Sequence, residues 1–183
     1  MLRMAALAVL AVTLMACSGT IPSSYTPGNI VRTDGATAIG DFTYQPHDQG
    51  RAAPNQLMNT AAGTIYISEN VVDLVRRATA LELEKSGVRL DQDAGIAIGG
   101  DVLEFKADDL GYSVDWYYSI RYRIHSAGNP IPMFERTYTA PKKTTGKFGQ
   151  PGDYTESVNV MIREAYEQFA GDPDVQAILG RQL

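Results

Sequence analysis

The stretch from Ser113 to Ser126 constrains the fold more than any other part of this chain. Every second position carries an apolar or aromatic side chain, a set made up of Val114, Trp116, Tyr118, Ile120, Tyr122 and Ile124. Side chains that alternate with a period of two point to opposite faces of a β-strand. The run therefore predicts a long strand with one buried face and one polar face. After a turn at 127–130, residues 132–140 are predicted to form its hairpin partner.

Further elements follow from periodicity and from residues that typically end or begin helices. Strands are predicted at 38–44, 64–67 and 96–106, the last with a bulge at Gly99-Gly100. Amphipathic helices are predicted from Asn70 to Gly87 and from Asp153 to Gly171, and a short final helix starts at Pro173. Residues 45–63 are expected to form a long irregular loop. The fold class expected is α+β: a mainly antiparallel sheet of about four strands, two helices on one face and a short C-terminal helix.

The start of the chain resembles an export signal. Arg3 precedes an apolar run from Ala5 to Ala16, and Cys17 is the only cysteine. The run is too short for a membrane-spanning helix, which needs roughly 20 residues. Leu14-Met15-Ala16-Cys17 resembles the lipobox of bacterial lipoproteins, which implies that residues 1–16 are removed and that Cys17 carries lipid. An ordinary signal peptide with an incidental cysteine is the alternative.

The lipobox resemblance also implies a location and a division of the chain. Ser18, rather than aspartate, follows the cysteine, which implies transfer to the bacterial outer membrane, with the protein on its periplasmic side. Residues 17–29 are rich in Ser, Pro, Gly and Thr and are expected to form a lipidated flexible tether. Residues 30–183 are expected to form one periplasmic domain.

The composition of the chain argues against several classes of ligand. The formal net charge of −5 argues against a broad nucleic-acid surface. A lipid on Cys17 leaves no thiol, and the chain has only 2 histidines, so no cofactor or metal site is expected. The membrane, reached through the N-terminal lipid, and a protein of the envelope are the partners expected. The oligomeric state does not follow from the sequence.

A family resemblance rests on three parts of the chain: the helical run at 69–90, the long strand with its hairpin, and the final DPDVQAILG segment at 172–180. Together they resemble the YajG family of small bacterial lipoproteins over residues 38–180. The resemblance implies two helices on a sheet and no particular activity.

Two groups of side chains are candidate binding surfaces. The polar face of the long strand is a possible partner surface, with a plain solvated face as the alternative; its members are Tyr117, Arg121, Arg123 and His125. The basic, glycine-rich segment at 141–152 could contact lipid headgroups or a polymer, or could simply be a mobile linker; its lysines are Lys142, Lys143 and Lys147.

The sequence contains no catalytic motif, and Glu104, Asp108 and Asp109 are expected to be a solvated strand end. The leading hypothesis is therefore a membrane-anchored, non-enzymatic accessory or binding module of an envelope assembly. A carrier that holds lipid or peptide between helices and sheet is the alternative, with Trp116, Tyr118 and Tyr122 as its lining. A cell-wall enzyme is a third possibility and needs two carboxylates about 5–10 Å apart.

Overall fold

The computed structural model describes residues 18–28, 31–60, 64–147 and 151–182. Within them the chain forms a nine-stranded sheet and four α-helices. The strands are β1 (Ser18–Ile21), β2 (Ala36–Tyr44), β3 (Gln56–Asn59), β4 (Thr64–Ile67), β5 (Arg89–Leu90), β6 (Ile96–Asp108), β7 (Ser113–Ser126), β8 (Pro132–Thr139) and β9 (Lys143–Gly146). The helices are α1 (Gln45–Asp48), α2 (Val71–Ser86), α3 (Pro151–Ala170) and α4 (Pro173–Leu179), with a 3₁₀ turn at Gly180–Gln182.

The long antiparallel pair β6–β7 is the centre of the sheet. On the outer side of β6, β2 runs parallel to its first half and β3 runs parallel to its last residues. On the outer side of β7, β8 and β9 pair antiparallel with its second and first halves, respectively. β4 and then β1 extend the sheet beyond β3, and β5 extends it beyond β2.

The expected sheet of about four mainly antiparallel strands is therefore wrong. The sheet is mixed, because β2 reaches β6 through a crossover that contains α2, and a crossover of that kind produces parallel strands. It is also larger than expected, because β6 and β7 are long enough for two strands to pair, one after the other, along each outer edge. Strands of two to four residues, such as β3, β5 and β9, are too short to show alternation.

The apolar side chains of β7 pack beneath α2 and α3. Tyr122 stacks on Phe169 of α3 with ring centroids 4.3 Å apart, and its hydroxyl lies 3.1 Å from the Thr79 hydroxyl of α2. Trp116 contacts Tyr154 at the start of α3, at 5.4 Å. The alternation predicted for this strand is thus the alternation observed, with the apolar set buried and the intervening side chains half-buried.

The segment expected to be a flexible tether lies against the domain over residues 18–28. β1 pairs in parallel with β4 from Ser18 onward, and Ile21 is buried. Tyr25 is also buried, and its hydroxyl donates to Glu82 of α2 at 2.5 Å. Two apolar side chains and a hydrogen bond to a buried carboxylate thus hold a segment whose composition alone indicates disorder. Residues 1–17, including Cys17, lie outside the described residues.

Candidate functional site

An ion cluster lies on the polar face of β7. Asp101 of β6 is buried and accepts from the Thr43 hydroxyl at 2.9 Å. Arg121 donates to one of its carboxylate oxygens through Nε at 3.1 Å and Nη2 at 2.8 Å. Arg123 donates to the other oxygen through Nη2 at 2.7 Å. The shared carboxylate fixes both guanidinium groups, which remain partly exposed at 38% and 26% of their side chains.

A groove of about 330 Å³ opens beside this cluster. Its floor is backbone, since it is lined by glycines of β2 and β6, and its walls carry charged and polar groups; the lining is Gly40, Asp41, Ala97, Gly99, Arg123, His125 and Pro130. A Cβ atom at Gly99 would lie 2.4 Å from the Asp41 carbonyl oxygen, so this glycine is required for the close approach of β2 and β6.

The predicted bulge in β6 lies beyond the glycine pair, because the register with β7 shifts between Val102 and Glu104. The register with β2 shifts opposite Gly99, between the pairs Ile39–Ile98 and Phe42–Gly100, and the extra residue there belongs to β2. Gly99 also lines the groove. Asp101, the residue that holds the cluster together, is a charged residue within an otherwise apolar run; that is the one signal in the sequence that marks it.

The side chains of Arg123 and His125, which line the groove, differ in their hydrogen bonds within the protein. Arg123 Nε is buried and has no hydrogen-bond partner among the described residues. His125 donates through Nδ1 to the Asn129 carbonyl oxygen at 3.3 Å. Because Arg123 Nε is enclosed by protein atoms, a partner would contact this residue through the exposed 26% of its side chain.

The structure divides the four predicted face residues. Arg121, Arg123 and His125 lie together near the groove. Tyr117 lies in the first half of β7, away from them, and the centroid of its ring is 5.3 Å from Lys106 Nζ. The groove and its arginines therefore form the compact part of the predicted surface.

The predicted basic loop is partly a strand. Lys143 begins β9 and is in register with Trp116. Lys142 pairs with Asp115 at 2.9 Å, and the Lys147 ammonium donates to the Asp109 carbonyl oxygen at 2.5 Å. Two of the three lysines thus contact groups of the domain itself, and neighbouring Phe148 lies outside the described residues.

Asp108, at the end of β6, and Asp115, near the start of β7, are poorly suited to act as general acids. Hydrogen bonds from Thr60 and Lys106 hold the pKa of Asp108 below its usual value. Hydrogen bonds from Thr144 and Lys142 do the same for the pKa of Asp115. A general acid at neutral pH needs a raised pKa. Across the described ranges, no group of three or more His, Cys, Asp or Glu residues is arranged to hold a metal ion.

The aromatic residues proposed as a carrier lining are fully buried core residues. Tyr118 packs edge-on against Phe105 with centroids 4.9 Å apart, and Tyr122 and Trp116 contact aromatic rings of α3. In the part of the chain that the structure describes, no helix is long and apolar enough to cross a membrane.

Neither a family model nor a curated protein matches this chain. Among solved structures, the fold is similar to that of protein XCC0632 from Xanthomonas campestris, of family DUF330, with a TM-score of 0.60 and 11% identity over 89% of this chain and 97% of that one. The hypothetical protein CT253 from Chlamydia trachomatis aligns with a TM-score of 0.49 and 12% identity over 76% of this chain and 97% of the other. A PelC dodecamer from Paraburkholderia phytofirmans aligns with a TM-score of 0.40 and 12% identity over 80% and 96% of the two chains.

The likeness to the Xanthomonas protein shows a shared fold at low sequence identity. The resemblance to the YajG family is tested by none of these comparisons and stays a prediction.

Proposed function

We propose that this chain is a bacterial lipoprotein and a non-enzymatic accessory module of an envelope assembly. A lipid on Cys17 would hold it on the periplasmic side of the outer membrane. The lipobox-like residues 14–17 support the anchoring. The partner surface is the groove on the polar face of β7, together with Arg121, Arg123 and His125.

The observation that carries the binding role is the organisation of the groove. Arg121 and Arg123 are held by one buried carboxylate, so little conformational entropy is lost when they contact a partner. Both arginines keep part of their side chains exposed beside the groove, so they can donate to a partner that enters it. A protein segment that presents a carboxylate or carbonyl oxygen fits this chemistry.

Site-specific photocrosslinking in intact cells tests the binding role. A photoreactive amino acid at His125 should yield a discrete protein adduct, and adding Arg123→Glu should abolish it. The matched control places the same amino acid at Glu84, an exposed position on α2, where no such adduct is expected. Identical adducts at both positions, or an adduct at 125 unaffected by Arg123→Glu, would contradict the proposal.

A further inference from the structure

One end of the sheet gathers the start of β1 and the tip of the central hairpin. β1 is parallel to β4, β3 is antiparallel to β4, and β3 is parallel to β6, so Ser18 lies at the end where β6 finishes. β7 begins at that same end, as the counterpart of β6 in the hairpin, and β9 finishes there, since Ser113 is in register with Gly146. The hairpin tip at 109–112 therefore projects from the end of the sheet at which β1 starts.

This hairpin tip carries two large exposed side chains. Leu110 is 66% exposed and Tyr112 is 90% exposed. The residue that follows β9 holds the tip in place, because the Lys147 backbone N–H donates to the Tyr112 carbonyl oxygen at 3.1 Å and the Lys147 ammonium donates to the Asp109 carbonyl oxygen. Gly111 makes the turn between them with a φ of +98°. An ordered tip that presents leucine and tyrosine to the outside suits an apolar or interfacial partner.

We infer that this end of the sheet faces the lipid bilayer and that Leu110 and Tyr112 insert into its interfacial region. The inference rests on the proposed function, because it takes Cys17 as the lipidated residue. Cys17 is one peptide unit, about 3.8 Å, from Ser18, and Ser18 is already paired with Thr64. The anchor therefore has almost no slack, and it holds this end of the sheet at the membrane surface.

The dimensions of the sheet make the contact feasible. Four strand spacings separate β1 from β7, which amounts to roughly 19 Å across the end of the sheet. A bilayer surface extends over that distance without interruption, so the anchor and the hairpin tip can reach it together. Tyrosine is enriched at membrane–water interfaces, where its ring is apolar on one side and its hydroxyl remains hydrated.

The charges around the tip agree with contact with a headgroup region. Asp108 pairs with Lys106, and Asp109 pairs with Lys147, so each acidic residue beside the tip has a basic neighbour within 4 Å. The opposite end of the sheet also exposes two apolar side chains, Ile131 at 71% and Met133 at 52%, but it lies roughly 40 Å away along β6 and β7 and therefore provides a matched control position.

Tryptophan fluorescence of the complete lipidated protein tests the inference. Trp116 is the only native tryptophan and is buried, so its signal can be subtracted. Tyr112→Trp and, as matched control, Ile131→Trp are each purified from bacterial membranes and reconstituted into phosphatidylethanolamine–phosphatidylglycerol vesicles. We expect the indole at position 112 to shift its emission to the blue, to lose intensity with brominated lipids and to resist acrylamide quenching. The indole at position 131 should show none of these changes.

The possible failures are distinguishable. If the protein co-floats with vesicles but position 112 is as accessible to acrylamide as position 131, this inference is wrong and the anchoring stands. If the protein does not co-float, the anchoring and this inference both fail. Leu110→Ser with Tyr112→Ser provides a second readout, since co-flotation should persist while protease access to the 109–112 turn increases.

Discussion

Two buried tyrosine hydroxyl groups of β7 differ in whether they form a hydrogen bond. Tyr118 and Tyr122 lie four positions apart on the same buried face of β7. The Tyr122 hydroxyl bonds to Thr79, whereas the Tyr118 hydroxyl has no hydrogen-bond partner among the described residues. Burial raises the pKa of Tyr118 well above its ordinary value, so this hydroxyl remains a neutral, unsatisfied group.

Removing these two hydroxyls should therefore have different effects. Tyr118→Phe should leave the free energy of unfolding unchanged or raise it by about 1 kcal/mol, because no hydrogen bond is lost. Tyr122→Phe, the matched control, should lower it by about 1 kcal/mol, because Thr79 loses its partner. Urea titration followed by circular dichroism measures both. A clear loss of stability in Tyr118→Phe would show that its hydroxyl has a partner after all.

At the scale of elements, the close contact between β2 and β6 determines both the mixed sheet and the groove. It depends on Gly99, where a side chain would overlap the Asp41 backbone. The parallel pairing of these strands is interrupted at Ile39–Phe42, next to the same point. The groove is thus a consequence of how the two strands meet rather than a separate feature.

Adding a methyl group at Gly99 tests this dependence. Gly99→Ala should lower the free energy of unfolding by about 1–3 kcal/mol, because backbone must move to accommodate the Cβ atom. Gly146→Ala is the matched control, since Gly146 lies in a strand with no atom within 4 Å of an added Cβ, and its effect should stay within about 0.5 kcal/mol. Equal effects of the two substitutions in thermal or urea denaturation would contradict the described packing.

The elements that periodicity can reveal are those predicted well. The boundaries of β7 match the alternating run, and α2 lies between Asn70 and Gly87, as predicted, with Gly87 in the left-handed conformation that ends the helix. The elements that were missed depend on distant parts of the chain. β1 forms because β4 offers a free edge, and the groove forms because Gly40 and Gly99, 59 positions apart, become neighbours. Neither event leaves a local pattern. The polar face of β7 was predicted, but Asp101, which orders its arginines, was not.

At the scale of the whole molecule, the fold determines which end of the sheet would face the membrane if Cys17 is lipidated. The chain joins the sheet at Ser18, at the end that carries the exposed hairpin tip, and Ile131 lies at the opposite end. Under the proposed function, a lipid on Cys17 would fix the first end to the membrane. The arginine groove, on β2, β6 and the second half of β7, would then be presented toward the periplasm.

Lipid anchoring can be tested on the N-terminal peptide itself, by mass spectrometry of protein isolated from bacterial membranes. If the chain is a lipoprotein, this peptide begins at Cys17, with a diacylglycerol thioether on its sulfur and an acyl group on its amine. A peptide that begins at Cys17 with an unmodified thiol, or one that still carries residues 1–16, would contradict lipid anchoring.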